Sequence, residues 1–281
     1  MKFAEALKTG ISTSFFHRLD RGVLDAVAAA GIDCVELSHN FDYYMNVLEF
    51  PQTAAYWGRQ ARDAGVEIWS LHLPFSGVFD ISAESAEARA IATFTNRELI
   101  YAAAEAGASV IVMHPSAEPI ADDKRAERFA HSRENIEKLA REAEACGLIL
   151  AVENLPRTCL CRDSAEMIRL LAGSGADAVF DTNHNLSEDN IHFVDALTAG
   201  GIRIASLHIS DYGPDEKGVL DERHRMPGDG INRWNDLLAA LERHSYQGPL
   251  MYEISEKPRD RDAYTLEAAA ENMRDLAAGR L

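Results

Sequence analysis

Eight short apolar runs, alternating with longer alanine-rich amphipathic segments, predict an α/β fold: a single (β/α)8 TIM barrel spanning residues 1–281. Two further observations point the same way. A length of 281 residues suits one such barrel, which typically takes about 250. No GxGxxG or GxxxxGK(S/T) follows any of the runs, as expected of a nucleotide-binding open sheet, and no Pro/Gly/Ser-rich linker divides the chain.

The elements follow in order. Strands are expected at Thr9–Thr13, Cys34–Leu37, Glu67–Leu73, Ser109–His114, Leu148–Asn154, Ala178–Asp181, Ile202–Ile209 and Pro249–Ile254. Runs such as Val110-Ile111-Val112-Met113 and Leu148-Ile149-Leu150-Ala151-Val152 are apolar throughout, the signature of strands covered on both faces by helices. Between them, Leu19–Ala30, Gln52–Ala64, Ala86–Ala106, Ala126–Ala145, Ala165–Ala172 and Trp234–Arg243 read as amphipathic helices. Gly31, Gly65, Gly107 and Gly147 punctuate helix-to-strand turns at intervals of 34 to 42 residues.

Composition narrows the function classes. Hydrophobic residues make up 47% and charged residues 26%, an ordinary globular balance. The net charge of −17 repels phosphate backbones and anionic membranes at long range, so neither nucleic acid nor a membrane is expected as a partner. No apolar run approaches the ~20 residues of a spanning helix, and the N-terminal segment lacks the apolar stretch of a secretory signal. Cys34, Cys146, Cys159 and Cys161 form neither a CxxC redox pair nor a zinc knuckle, so a reduced, cytoplasmic protein is expected.

The ends of the apolar runs carry the chemistry. Glu36, His72, His114, Glu153-Asn154, Asp181 with His184, His208 with Asp211, and Glu253 terminate seven consecutive strands. One buried His or Glu at a strand end is commonly a hydrogen-bonded core residue. Seven in succession converge on one rim, where active sites of this fold sit, and so many buried carboxylates require a cation or paired charges. Imidazole interleaved with carboxylate is the usual N/O donor set for Zn, Mn or Co. A set of Glu153, Asp181, His208 and Glu253 is mostly oxygen and suits Mn, Mg or Co. Adding His72, His114, His184 and His224 favours Zn, with room for more than one ion.

Eight short motifs occur in order: ELS at Glu36, HLPF at His72, MHPS at His114, VENLP at Glu153, DTNH at Asp181, HISDY at His208, RHRMPGDGI around His224 and YEIS at Glu253. Together they resemble the sugar phosphate isomerase/epimerase superfamily, whose relatives include ketose 3-epimerases, xylose isomerase and endonuclease IV. The resemblance implies a metal-dependent isomerase or epimerase of a sugar, sugar phosphate or polyol derivative, working by proton transfer through a metal-stabilised enediolate. It implies one divalent ion (Mn, Co, Mg or Zn) held by Glu153, Asp181, His208 and Glu253, with Glu153 and Glu253 as catalytic acid and base. His184 matches a substrate-contacting position; Glu36, His72, His114, His224 and Arg225 are further substrate-binding candidates. Those epimerases carry an Arg about six residues after the metal-binding His, where Pro214 stands here, with Arg223 or Arg225 as possible substitutes.

The competing reading is a zinc-dependent phosphodiester hydrolase like endonuclease IV, with His72, His114, His184, Glu222 and His224 as additional metal ligands. A sugar-binding protein without catalysis is a third. Several features carry less. Pro227–Gly230 is a substrate-approaching loop or a plain turn, and Phe41–Tyr44 a pocket wall or a subunit contact in a homo-oligomer. Trp57 and Trp234 are expected to pack, and His17, His131, His192 and His244 to lie on surfaces or helices. Arg157, Arg223, Arg225, Lys257 and Arg259 are rim cations for a phosphate or carboxylate, or exposed loop charges.

Overall fold

A computed structural model describes residues 3–16, 18–38, 50–257 and 262–281. His17, Phe41–Tyr44 and Arg259 lie outside the described residues. Eight parallel strands form the barrel: β1 (Thr9–Ser12), β2 (Cys34–Leu37), β3 (Glu67–His72), β4 (Val110–Met113), β5 (Ile149–Glu153), β6 (Asp177–Asp181), β7 (Ile204–His208) and β10 (Leu250–Tyr252). Their spatial order is β10-β1-β2-β3-β4-β5-β6-β7. The ring closes between its last two members through a bridge of Ile209 to Tyr252, with Ile209 N donating to Met251 O at 2.7 Å.

Helices α1 (Arg21–Ala29), α2 (Phe50–Ala64), α3 (Ala86–Ala106), α4 (Arg125–Ala145), α5 (Ser164–Leu171) and α7 (Trp234–Arg243) fall where alanine-rich periodicity places them. The starts of α1, α3 and α5 are capped by Asp20, Ser85 and Asp163, whose side chains accept from the third residue beyond. α3 ends at Gly107, whose φ of 86° lies in the left-handed region that a side chain resists. Two helices go beyond those the pattern marked, α6 (Asn190–Ala199) and α8 (Leu266–Ala277).

Two cores result. Between strands and helices lies a layer including Ile11, Val35, Leu71, Ile111, Leu150, Phe180 and Leu207. Inside the barrel, Val110, Val112, Ala151, Val179 and Ala205 pack together, with Trp69 against them. Space there is short: a Cβ on Gly10 would stand 2.7 Å from Met251 Cε and 2.8 Å from Cys34 Sγ. Because side chains alternate along a strand, the same inward register that buries Ala151 and Val179 points Glu153 and Asp181 into the barrel two residues later.

The long connection after β7 is a hairpin, β8 (Asp211–Pro214) antiparallel to β9 (Leu220–Arg225). Its turn is built on Asp215, whose Oδ1 accepts from Lys217 N and Val219 N, each at 2.8 Å. All four cysteines are free thiols. Among the described residues no helix is long and apolar enough to cross a membrane.

Candidate functional site

Strand ends deliver the polar residues to one place. Glu153 closes β5, Asp181 closes β6, His208 closes β7, and Glu253 follows β10 directly. One ligand atom from each lies within 4.8 Å of the others. Glu153, Asp181 and His208 are buried at 1%, 0% and 0% exposure; the Glu253 side chain is 17% exposed.

His208 sits at the centre. Its Nδ1 faces Glu153 Oε1 and Glu253 Oε2, both at 3.1 Å, and Asp181 Oδ2 at 3.9 Å. Its Nε2 lies 3.1 Å and 3.2 Å from the two oxygens of Glu36, which in turn accepts from Ser70 Oγ at 2.7 Å. The ring therefore offers Nδ1 to the carboxylate cluster while Glu36 holds the opposite edge. Glu153 is surrounded by imidazoles: His72 and His114 reach Oε2 at 3.2 and 3.1 Å, and His184 reaches Oε1 at 3.3 Å.

The electrostatics follow from this packing. Burial opposes the charge on Glu153, but His208, His114 and His184 outweigh it and hold the carboxyl well below its usual range. Glu253 is likewise pulled down against burial, chiefly by His208, to about 2. Asp181 goes the other way: burial pushes it well above the usual range, Glu153 and Glu253 add to this, and His184 and His208 pull against it. Glu253, Glu36 and Glu153 raise His208 well above the ordinary imidazole value against the cost of burial. His184, also opposed by burial, is raised to about 10 by Asp181 and Glu153. Burial lowers His114.

One atom indicates what the cluster holds. Asp181 Oδ2 is buried and accepts no hydrogen bond. His184 Nδ1 comes within 3.2 Å of it but bonds the Asn154 carbonyl at 3.0 Å. A buried carboxylate oxygen left without a donor is costly unless a cation takes that place. Three carboxylates and one imidazole around that oxygen fit a divalent ion such as Mn, Co, Mg or Zn. Among the described residues the convergent groups are two, Glu153-Asp181-His208-Glu253 and His72-Glu153-His208, and they share Glu153 and His208. His114, His184, Glu222 and His224, the other additional ligand candidates, fall in neither.

Above the cluster opens a cavity of about 330 Å³, with His72, His114, Glu153, His184, Glu222, His224 and Glu253 in its wall. Phe75 stacks on His114 at 4.5 Å between ring centres and gives the cavity an apolar side. At the rim, Arg157 pairs with Glu118 and, at 2.9 Å, with Glu222.

Two of the substrate-binding candidates stand apart from the cavity above the cluster. Glu36 is 0% exposed and lies beneath His208, because its inward register on β2 places it one layer below the cavity floor. The Arg225 guanidinium donates to Asp229 O at 3.3 Å, and Arg225 is not among the residues in the wall of the cavity above the cluster, to which β9 contributes Glu222 and His224. Asp211 also stays away from the cluster. It accepts from Gly228 N at 2.9 Å, Asn232 N at 3.0 Å and Trp234 Nε1 at 3.0 Å, and so fixes the 227–230 loop.

A set of asparagines, of which the strand-end pattern marks only Asn154, braces the site. Asn154 pairs with the backbone of Asp181 in both directions, at 3.0 and 2.7 Å. Asn183 Oδ1 accepts from the backbone N–H of Arg223 at 2.9 Å and of His224 at 3.2 Å, holding His224 at a left-handed φ of 44°. Asn185, Asn190 and Asn232 continue the chain of contacts toward Ser210. Their density after strand ends, as in VENLP and DTNHN, was the available signal.

Residues 24–276 match the family described as xylose isomerase-like TIM barrel, and the chain belongs to that family. Its fold is similar to solved structures of a D-tagatose 3-epimerase-like protein (TM-score 0.80, 21% identity, 98% of each chain). It is also similar to D-psicose 3-epimerase (TM-score 0.77, 22% identity, 97% of this chain and 98% of the other). A third is D-allulose 3-epimerase from Methylomonas sp. (TM-score 0.76, 20% identity, 100% of each chain). No curated protein matches the sequence.

Proposed function

We propose that the protein is a divalent-metal-dependent sugar isomerase or epimerase, its ion held by Glu153, Asp181, His208 and Glu253. The observation that carries this is the convergence of those four ligand atoms within 4.8 Å around the unpartnered Asp181 Oδ2, with Glu153 and Glu253 also lining the cavity above. The family and the ketose 3-epimerases of similar fold support it.

When bound, the ion supplies Lewis acidity toward a sugar carbonyl and its neighbouring hydroxyl. The chain supplies the rest. His72 and His114 fix Glu153 by its Oε2, so its carboxylate presents one orientation to the substrate. Glu253, more open, borders the same cavity and meets the same nitrogen of His208, Nδ1, at 3.1 Å. One carboxylate takes the proton from the carbon beside the carbonyl and the other returns a proton. Return to the opposite face of that carbon epimerises it; return to the neighbouring carbon isomerises the sugar. Phe75 and Leu73 exclude water from one side of the cavity.

The test begins with metal content of protein purified without chelator or a His-tag, followed by a ketose and aldose panel. About one Mn, Co, Mg or Zn per chain with turnover of a sugar is the expected result. Two or three Zn per chain with cleavage of an abasic-site duplex would replace this reading with the phosphodiester hydrolase.

A further inference from the structure

A second cavity, of about 390 Å³, lies beside the first. The two share Glu222, His224 and Glu253, so the second cavity adjoins the first along these side chains. Its own additions are Ser14, Arg223, Ser255 and Lys257, with Ile254 the one apolar member.

Arg223 is the unusual member. Its side chain is 13% exposed, and its ion-pair partner Asp221, 3.4 Å away, is 37% exposed and well screened. Its Nε is buried and donates to nothing, a state that buried guanidinium groups rarely keep. The acidic residues on the same wall are engaged already: Glu222 with Arg157 at 2.9 Å and Glu253 with His208 at 3.1 Å. Arg157 is in turn taken up by Glu118 and Glu222. The wall thus offers an underused guanidinium, the exposed side chain of Lys257 and two hydroxyls, of which that of Ser14 lies 2.9 Å from Ser12 Oγ.

Building on the isomerase reading, we propose that this second cavity binds an oxyanion at the end of the substrate remote from the reacting carbons, a phosphate or a carboxylate. Arg223 donates to it from the guanidinium fork, the geometry in which guanidinium groups grip both anions. Lys257 adds charge at the mouth, and Ser14 and Ser255 supply hydroxyls. A chain of net charge −17 repels anions at long range, so an anionic substrate needs its cations in the pocket itself.

The experiment reads binding rather than turnover, which separates its failure from failure of the isomerase reading. Protein loaded with Co is titrated with inorganic phosphate and with acetate, by calorimetry and by the visible cobalt spectrum. The expected result is saturable binding that leaves the cobalt spectrum unchanged. Arg223→Met should weaken it at least tenfold and Lys257→Ala severalfold, with metal content unaltered in both. Tighter phosphate than acetate assigns a phosphorylated sugar, and the reverse a sugar acid. Should Arg223→Met fail to fold, Arg223→Lys and the exposed Lys257→Ala carry the test. Binding that shifts the cobalt spectrum and survives Arg223→Met would put the anion on the metal and overturn the proposal. So would dissociation constants above about 10 mM for both anions, or an abasic-site duplex that is cleaved and displaces phosphate.

Discussion

At the scale of single residues, the carboxylates and imidazoles divide the work by what each atom touches. Glu153 has both oxygens contacted by imidazoles, whereas the Glu253 carboxylate meets, among the described residues, only His208 Nδ1 and keeps some exposure. Glu153→Gln and Glu253→Gln should each lower kcat by about 10²–10⁴-fold or more, because each change removes a proton carrier and a ligand charge. Steady-state rates on the best sugar of the panel check this, and near-normal turnover of either variant would end the proposed mechanism. The raised pKa of His208 bears on metal uptake. An imidazole must shed the proton on its ligating nitrogen before it binds an ion, so uptake at neutral pH releases protons and weakens as the solution is acidified. Calorimetric titration with metal in buffers of different ionisation enthalpy should show that release; an enthalpy independent of buffer would contradict it. By contrast His244, bonded at 2.6 Å to Asp195 on the helical surface, should tolerate alanine with less than about a twofold change in rate.

Among the elements, the β8–β9 hairpin and the loop behind it shape the upper wall. Asp211 ties four donors to one carboxylate, Tyr212 N among them, and a hydrogen bond to a charged group contributes about 1.5–3 kcal/mol. Asp211→Ala should therefore lower the unfolding free energy by at least about 2 kcal/mol in denaturant titration, with metal content retained; an unchanged midpoint would show that the loop holds itself. How legible these elements are depends on their physics. Barrel strands announce themselves because both faces are buried, as Val110–Met113 shows, and α3 and α7 because one apolar face repeats. The strand Leu220–Arg225 is half-exposed and almost wholly polar, so no alternation of apolar residues marks it. For the same reason the sequence could not say which of Arg223 and Arg225 faces the pocket. The convergence of Glu153, Asp181, His208 and Glu253 was legible because carboxylates at the ends of buried strands are costly unless gathered around a common partner. The bracing by asparagines was not, since their worth lies in backbone groups they reach across the fold, and the depth of Glu36 beneath His208 depends on barrel layering that no strand pattern prints.

For the whole molecule, the ion proposed at the rim should also act on stability. A ligand that binds only the folded chain at a hundredfold above its dissociation constant contributes about 2.7 kcal/mol. With roughly 2–4 °C of melting temperature per kcal/mol for a chain of this size, chelation should lower the Tm by at least about 5 °C and metal should restore it. A Tm indifferent to chelator would argue against tight binding at the centre. The barrel's closure gives this a further meaning. β7 and β10 are bridged by Ile209, and His208 and Glu253 stand on either side of that seam, with Glu153 and Asp181 contributed earlier in the chain. Ribosomal synthesis delivers Glu253 after the other three, so the fourth proposed ligand joins a nascent polypeptide only once the last barrel strand has been made. Metal uptake would then serve as a stamp of barrel closure, distinguishing closed barrels from open ones before any sugar is encountered.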